Sequence, residues 1–238
     1  MSRDRRFPWK AASIVSVALA SLGGIGDGLV HSPVVETRDV TVSGVSQLTP
    51  QRVLKIGGLT GTVNVFFLDP DAVEHRLESD PWIASATVQR RLPHTVTVSI
   101  RERVPIAAVG NGSGFDAVAA DGTVLRSGPS QRGLPLIQAA STSDRAAAAA
   151  VVGSMPASLR ALTDEVDVNP GREVSVKLRS GVIVTYGTAG DPIAKAQALA
   201  AVLRWAGDQG VRVDTIDVSV PTAPTARLAG GATVSPGA

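Results

Sequence analysis

Residues 40–103 alternate between polar and apolar positions with two different periods, one typical of strands and one typical of helices. Val40 and Val42 alternate with polar neighbours and the pattern stops at Ser43-Gly44, which predicts a strand followed by a turn. Two segments then each open with a capping residue and a proline, Thr49-Pro50 and Asp69-Pro70, a combination typical of helix N-termini. Glycines close the first of these helices and Pro81 ends the second.

Two further strands complete this module. Strict alternation returns over residues 83–89 and 95–103, and Leu92-Pro93-His94 supplies the turn between them. The order strand, helix, helix, strand, strand lets both helices cover one face of a three-stranded sheet. We therefore predict a compact α+β domain over residues 34–104, with Trp82 buried where the second helix meets the next strand.

From residue 105 onward the alternation is mostly of the strand type, and a β-rich second domain is predicted over residues 105–228. The turn dipeptides Asp121-Gly122, Pro170-Gly171 and Ser180-Gly181 separate apolar runs, and the last three runs before the final helix should form a meander. The predicted strands are 115–120, 123–125, 165–169, 174–178, 182–186 and 215–220, with a short strand after Pro105 as a further candidate.

Two helices interrupt this β-rich region. An alanine-rich segment over residues 143–154 predicts the first, and Asp191-Pro192 caps and opens the second. In the second helix an apolar stripe running from Ile193 to Ala206 should pack on the sheet, with Lys195 and Arg204 directed elsewhere. The Gly/Ala/Pro-rich end, residues 229–238, is predicted to be disordered.

The N-terminus has the pattern of a signal-anchor. The basic segment 1–10 precedes an uncharged run, residues 11–26, and extending that run to residue 30 gives a helix of ~30 Å, enough to span a hydrocarbon core. The positive-inside rule then places residues 1–10 in the cytoplasm and the folded part outside. Ala18-Leu19-Ala20 also fits a signal-peptidase site, so cleavage after Ala20 remains an alternative.

Composition excludes several classes of function and of site. The net charge of +2 comes from the N-terminal segment, since basic and acidic residues balance from residue 31 onward, and a neutral body with few aromatic residues does not suggest nucleic-acid binding. The absence of cysteine excludes disulfides, thiolate zinc sites and a cysteine nucleophile. No cofactor motif is present, because the glycines of GGIGDG lack the strand and helix that a phosphate-binding loop requires.

Few side chains suggest catalysis. His31, His75 and His94 have no second ligand at metal-binding spacing and no triad partners, so surface histidines are the preferred interpretation. The basic residues of 89–91, with Arg101 and Arg103, are more simply explained as the solvent face of a half-buried sheet than as a binding site. We predict no catalytic, cofactor or metal site, and therefore no enzyme.

Three stretches carry a resemblance to a known family: VTVSGVSQLTPQRVLKIGGL, then NVFFLD, then SDPWIASATVQRRLPHTVTVSIRERVPIA. Together they run almost continuously from Val40 to Ala107 and resemble the FtsQ/DivIB cell-division proteins, in particular those of high-GC Gram-positive bacteria. The resemblance implies a single transmembrane helix, a POTRA domain and an FtsQ-type β domain. A β-barrel transporter with POTRA domains is excluded, because too few residues follow the module to build a barrel.

The same resemblance implies the function. FtsQ-like proteins act as scaffolds of the divisome in the cell membrane at the division septum, linking early and late components. They recruit FtsB/DivIC together with FtsL for septal peptidoglycan synthesis, and other divisome components would bind the POTRA domain. An alternative is a secreted or membrane-anchored cell-wall binding protein or enzyme.

The last strand is the predicted partner-binding surface. A C-terminal strand at a sheet edge presents backbone N–H and C=O groups that an extended partner segment can pair with. In the resembling family the end of the β domain binds FtsB/DivIC. Carried over to this chain, the surface comprises Thr215, Ile216, Asp217, Val218, Ser219, Val220, Thr225, Arg227 and Leu228.

Overall fold

The computed structural model describes residues 39–61, 63–92, 94–125 and 133–236. The chain divides between Glu102 and Arg103 into two compact units. The predicted anchor over residues 11–30 lies outside the described residues. Within the described ranges, no helix has both the length and the apolar character needed to cross a membrane.

The first unit has the predicted element order. Its strands form a three-stranded sheet with order β1-β3-β2, in which β1 runs parallel and β2 antiparallel to β3. Helix α2 packs against β2, and Trp82, at 2% exposure, is buried at the predicted corner. The elements are β1 (Asp39–Ser43), α1 (Pro50–Gly57), α2 (Pro70–Glu78), β2 (Ile83–Arg91) and β3 (Thr95–Glu102).

Capping fixes both helices of this unit. The Thr49 hydroxyl accepts from the backbone N–H of Arg52 at 3.3 Å, and Asp69 accepts from the N–H groups of Asp71 at 3.1 Å and Ala72 at 3.3 Å. Helix α1 ends at Gly58, whose φ of 68° is left-handed. The capping residues identified in the sequence therefore make the hydrogen bonds that are expected of them.

A carboxylate organises the loop before α1. Glu102 accepts from the backbone N–H groups of Ser46 at 3.0 Å, Gln47 at 2.8 Å and Leu48 at 2.8 Å. Three donors on one carboxylate hold a loop without regular structure against the end of β3, which satisfies backbone groups that no ladder reaches.

The second unit is built on one long mixed sheet. Within the described residues the sheet has the order β13-β12-β11-β10-β9-β8-β7-β4-β5-β6. The strands are β4 (Pro105–Gly110), β5 (Phe115–Ala119), β6 (Val124–Leu125), β7 (Leu136–Ala139), β8 (Thr163–Val168), β9 (Val174–Leu178), β10 (Ile183–Gly187), β11 (Val213–Asp217), β12 (Thr225–Leu228) and β13 (Thr233–Val234).

Helices α3 (Thr142–Ser154), α4 (Ala157–Leu162) and α5 (Pro192–Gln209) complete this unit. The predicted meander is present as β8-β9-β10, whereas the pairs β4/β7, β7/β8 and β10/β11 are parallel. Parallel neighbours need a crossover. Helices α3 and α4 connect β7 to β8, and α5 connects β10 to β11.

The turn at Asp121-Gly122 joins β5 to β6 as expected. Gly122 has a φ of 80°, and Arg103 donates from Nε to the Asp121 carboxylate at 2.8 Å. Burial by itself would raise the pKa of Asp121, but hydrogen bonds from Arg103 and Thr123 and the charge of Arg103 outweigh it, so the pKa lies below its ordinary value.

Helix α5 departs from three expectations. Ile193, predicted to pack on the sheet, is 62% exposed, and Lys195, predicted to point away, is only 4% exposed. The Lys195 ammonium donates to the Thr188 carbonyl at 2.8 Å, so the buried amine has a polar partner. Asp191, predicted to cap this helix, makes no side-chain cap hydrogen bond. Its φ of 50° is left-handed, whereas a capping residue typically has an extended backbone.

The C-terminal segment also departs from expectation. Residues 229–236, predicted to be disordered, form a hairpin that returns as β13 beside β12. Gly231 has a φ of 86°, and its N–H bonds to the Leu228 carbonyl at 2.8 Å. The low-complexity composition here reflects a tight turn built from small residues. Glycine in particular can adopt the left-handed conformation that this turn needs.

Candidate partner-binding surface

The predicted surface lies at the C-terminal end of the long sheet, but β11 is not its edge. Strand β11 pairs with β10 in parallel and with β12 antiparallel. The expectation of unpaired backbone groups along residues 215–220 is therefore wrong, because two further strands, β12 and β13, follow in the chain and add to the sheet. Within the described residues, β13 is the outermost strand at this end.

Alternation divides the predicted β11 residues between two faces. Ile216, at 1% exposure, belongs to the hydrophobic core with α3 and α5, and so does Val218. Thr215 and Asp217 face solvent on the opposite side of the sheet. A partner could therefore reach Thr215 and Asp217 directly, whereas Ile216 and Val218 can contribute only by holding the strand in place.

Ser219 and Val220 lie beyond the end of β11. The Ser219 N–H donates to Asp217 Oδ1 at 2.8 Å, and the Val218 N–H continues the parallel pairing by bonding to the Thr185 carbonyl at 2.9 Å. Val220 is 56% exposed. This short connection from β11 to β12 therefore leaves an apolar side chain in solvent.

The three predicted residues on β12 lie close to those on β11. In the register of the two strands, Thr225 is opposite Asp217, Arg227 is opposite Thr215 and Leu228 is opposite Val213. Arg227 is exposed, and Thr225 and Leu228 are half-buried. The structure thus places the accessible members of the predicted set on adjacent strands of one face.

That face is open to solvent and extends across the sheet. Direct cross-strand partners connect one row of five exposed residues, and such partners have Cβ atoms about 5 Å apart. Ile183, at 42% exposure, is the apolar member near its middle. The row comprises Lys177, Ile183, Thr215, Arg227 and Thr233.

The residues missed by the sequence prediction are those of β13. Thr233 lies opposite Arg227, and Val234 lies opposite Ala226. The signal was present, since Gly230-Gly231 is a strong turn dipeptide between two short alternating runs. It was outweighed by the low-complexity composition of the whole segment.

Two of the other basic candidates, Arg90 and Arg101, make hydrogen bonds within the first unit. Arg90 donates from Nη1 to the carbonyls of Phe66 at 3.1 Å and Leu68 at 2.9 Å, and Arg101 donates to the Ser85 hydroxyl at 3.2 Å. Among the described residues, no group of three or more histidine, aspartate or glutamate side chains is arranged to hold a metal ion. The C-terminal strands offer backbone pairing and side-chain contact.

Taken together, the units define a class: a small sheet-and-two-helix module followed by a long sheet with one open face. The family models agree with this division. The FtsQ-type POTRA domain model matches residues 35–103, and the C-terminal domain model of cell division protein FtsQ/DivIB matches residues 107–219. The chain belongs to the FtsQ/DivIB family of cell division proteins.

Relatives with this family name occur in high-GC Gram-positive bacteria. Cell division protein FtsQ of Streptomyces bingchenggensis is 31% identical over 93% of this chain and 88% of its own length. Cell division protein FtsQ of Mycolicibacterium smegmatis is 30% identical over 91% of this chain, which spans only 63% of that longer relative. The implied resemblance to high-GC members is confirmed.

A solved structure also matches part of the chain. The major extracytoplasmic domain of the trans isomer of DivIB from Geobacillus stearothermophilus is 19% identical over 47% of this chain, with a TM-score of 0.36. That low overlap carries no weight for the fold or the function.

Proposed function

We propose that this protein is a non-catalytic scaffold of the cell-division machinery. Residues 1–10 would be cytoplasmic, residues 11–30 would cross the cell membrane once, and the POTRA and β domains would lie outside at the division septum. Its task would be to recruit FtsB/DivIC-like and FtsL-like proteins for septal peptidoglycan synthesis. Other division components would bind the POTRA domain.

One observation carries this proposal: the two family domains follow each other in one chain, over residues 35–103 and 107–219. A POTRA domain alone occurs in several kinds of envelope protein, but its combination with this C-terminal domain is a family signature. The relatives that share both regions are named cell division protein FtsQ.

The partner surface we propose is the accessible part of the C-terminal strands. Thr215, Asp217 and Arg227 offer polar contacts on the open face, and Val220 offers an apolar contact beside it. An extended partner segment that pairs with this end of the sheet would gain main-chain hydrogen bonds, and alternate side chains would give it specificity. Ile216 and Val218 would support the surface from the core.

The test is co-purification with the FtsB/DivIC-like and FtsL-like proteins of the same organism. Arg227→Glu reverses a charge on the proposed surface, and we expect at least a tenfold loss of affinity, as for an arginine at the centre of an interface. Asp167→Arg is the matched control, because Asp167 is exposed on the same sheet but lies on β8. Equal binding by both variants and the parent would remove this surface from the proposal.

Localisation tests the wider proposal. An N-terminal fluorescent fusion leaves the C-terminal strands unmodified, and it should accumulate at midcell in dividing cells. The Arg227→Glu form should fail to retain the FtsB-like protein there. A uniform envelope signal or release into the medium would instead favour the cell-wall protein named as the alternative.

A further inference from the structure

The hairpin at the end of the chain covers the outer edge of β12. We call residues 229–236 the C-terminal strap. Val234 pairs with Ala226 and Thr233 pairs with Arg227. The Leu228 N–H donates to the Ala232 carbonyl at 2.8 Å, and the Ser235 hydroxyl donates to the Pro224 carbonyl at 3.0 Å. Any extended segment that is to pair with β12 must take the place that the strap holds.

The strap is held by few interactions. It shares two paired positions with β12, whereas β12 shares four with β11. Its side chains are small, and the one larger apolar residue, Val234, is half-buried while Thr233 and Ser235 are exposed. Local opening begins where buried apolar contacts are fewest.

The strap offers little to an incoming strand on its own outer side. Strand β13 has only two residues, and the nearby Pro236 lacks a backbone N–H. Strand β12, by contrast, has four residues, and one of them, Ala226, is fully buried in the core. Replacement of β13 would therefore give a partner a longer ladder than addition to β13.

We propose that the strap is a substitute strand that fills the edge of β12 in the free protein and is replaced when the partner binds. The inference rests on the proposed function, since it concerns the same surface. The replacing segment is extended, with an apolar side chain at the Val234 position, which packs against the core, and a polar residue opposite Arg227. Partner binding then replaces a short intramolecular ladder with a longer intermolecular one.

A reversible lock tests this exchange. The chain contains no cysteine, so Arg227→Cys combined with Thr233→Cys can form only one intramolecular disulfide. Residues directly opposite each other in an antiparallel pair lie within the Cα separation that a disulfide requires. The same protein under reducing conditions is the matched control, and Arg227→Cys alone accounts for loss of the arginine.

The probe is the purified complex of the FtsB/DivIC-like and FtsL-like proteins. We expect the oxidised form to bind at least tenfold more weakly than the reduced form. Deleting residues 229–238 should strengthen binding by about tenfold if the strap is closed roughly nine-tenths of the time, because affinity scales with the open fraction. Circular dichroism and mass measurement establish that each form is folded and that the disulfide has formed.

The outcomes separate the two proposals. Equal binding by the oxidised and reduced forms, or no gain on deletion, overturns strand replacement while the proposed function stands. No binding by any form, including the parent, overturns the proposed function and this inference with it. Hydrogen exchange of the free chain decides independently of the partner: the amides of Leu228 and Val234 should exchange much faster than those of Val166 and Val176, and equal protection would also overturn the inference.

Discussion

Gly44 sits in the turn after β1, directly against the backbone of β3. Its φ is 80°, and a Cβ atom there would lie 1.9 Å from the Ile100 carbonyl oxygen. The alternation of Val40 and Val42 predicted the turn, but only the parallel pairing of β1 with β3 brings that carbonyl so close. The glycine is therefore required for a close approach between distant parts of the sequence.

We predict that Gly44→Ala lowers the free energy of unfolding of the first unit by more than about 2 kcal/mol, because backbone atoms must move as well as adopt a strained φ. Gly61→Ala is the control, since Gly61 has a φ of 84° and nothing within 4 Å of its Cβ position. It should cost only the left-handed backbone penalty of about 1 kcal/mol. Denaturant unfolding measures both, and similar losses would contradict the steric argument.

Tyr186 is the single tyrosine of the chain and lies in the core of the second unit. Its hydroxyl donates to the Pro192 carbonyl at 3.3 Å. Burial raises its pKa to about 12, and a hydrogen bond with Ser154 offsets part of that rise. The sequence marked this residue only as a strand position, since the two helices that bury it come from elsewhere in the chain.

The expected consequence is a loss of stability in alkali. The raised pKa of the folded state contributes stability that is fully present below pH 10, the ordinary value, and is lost as the pH rises towards about 12. Absorbance of the tyrosinate in the folded protein should titrate near pH 12, and Tyr186→Phe should flatten the alkaline decline. A titration midpoint near 10 before unfolding would contradict the burial argument.

Side chains of helix α2 cover the free edge of strand β2. Two glutamates one turn apart on α2 accept from its backbone: Glu78 from the Ala86 N–H at 3.1 Å and Glu74 from the Val88 N–H at 2.7 Å. Because β2 ends the three-stranded sheet in the described residues, these carboxylates occupy donors that another strand would otherwise use. Sheet edges that are covered in this way resist association.

Replacing both glutamates by alanine should make the protein self-associate more than the parent. The change also leaves two donors without their acceptors, at a cost of about 1 kcal/mol each. Glu74→Gln with Glu78→Gln keeps an acceptor at both positions and is the matched control. Sedimentation velocity over a range of concentrations measures the difference, and an alanine variant that sediments like the parent would refute the role of these side chains.

At this scale the sequence predicted elements with strong local signals and missed weaker ones. Thr49-Pro50 and Asp69-Pro70 marked both helices of the first unit because the cap is a local hydrogen bond. Helix α4 was missed, since it has six residues and no side-chain cap. Strands β12 and β13 were missed because their pairing, four positions and two positions long, forms only once β11 is in the sheet.

The whole molecule divides into two units that each bury their own apolar residues. The first unit buries Val53, Leu77 and Val98, and the second has a separate cluster that includes Val176 and Leu199. A destabilising substitution in one core should therefore lower the stability mainly of that unit.

We predict that Gly44→Ala accelerates hydrogen exchange in residues 39–102 and leaves residues 103–236 at the parent's rates. Ile216→Ala, which removes a side chain with 1% exposure, should do the reverse at a cost of about 2–4 kcal/mol. Mass spectrometry of peptic fragments resolves the two regions. Acceleration of both units by either variant would show that they unfold together.

The sequence by itself determined the order of elements in the first unit, the meander of the second and the family to which the chain belongs. These depend on short-range signals: caps, turn dipeptides and periodicity within a strand or helix. It also marked Thr215 to Leu228 as the segment to examine, although through a resemblance and not through geometry.

Only the tertiary structure decided which of those residues a partner can reach and which strand lies at the edge. Ile216 and Thr215 are neighbours in sequence, yet one is in the core and the other in solvent, because the helices cover only one face of the sheet. Whether a glycine-rich end pairs with β12 depends on an edge assembled from residues far apart in the chain. Local sequence patterns do not determine which strand forms that edge, and so they could not predict the strap that covers it.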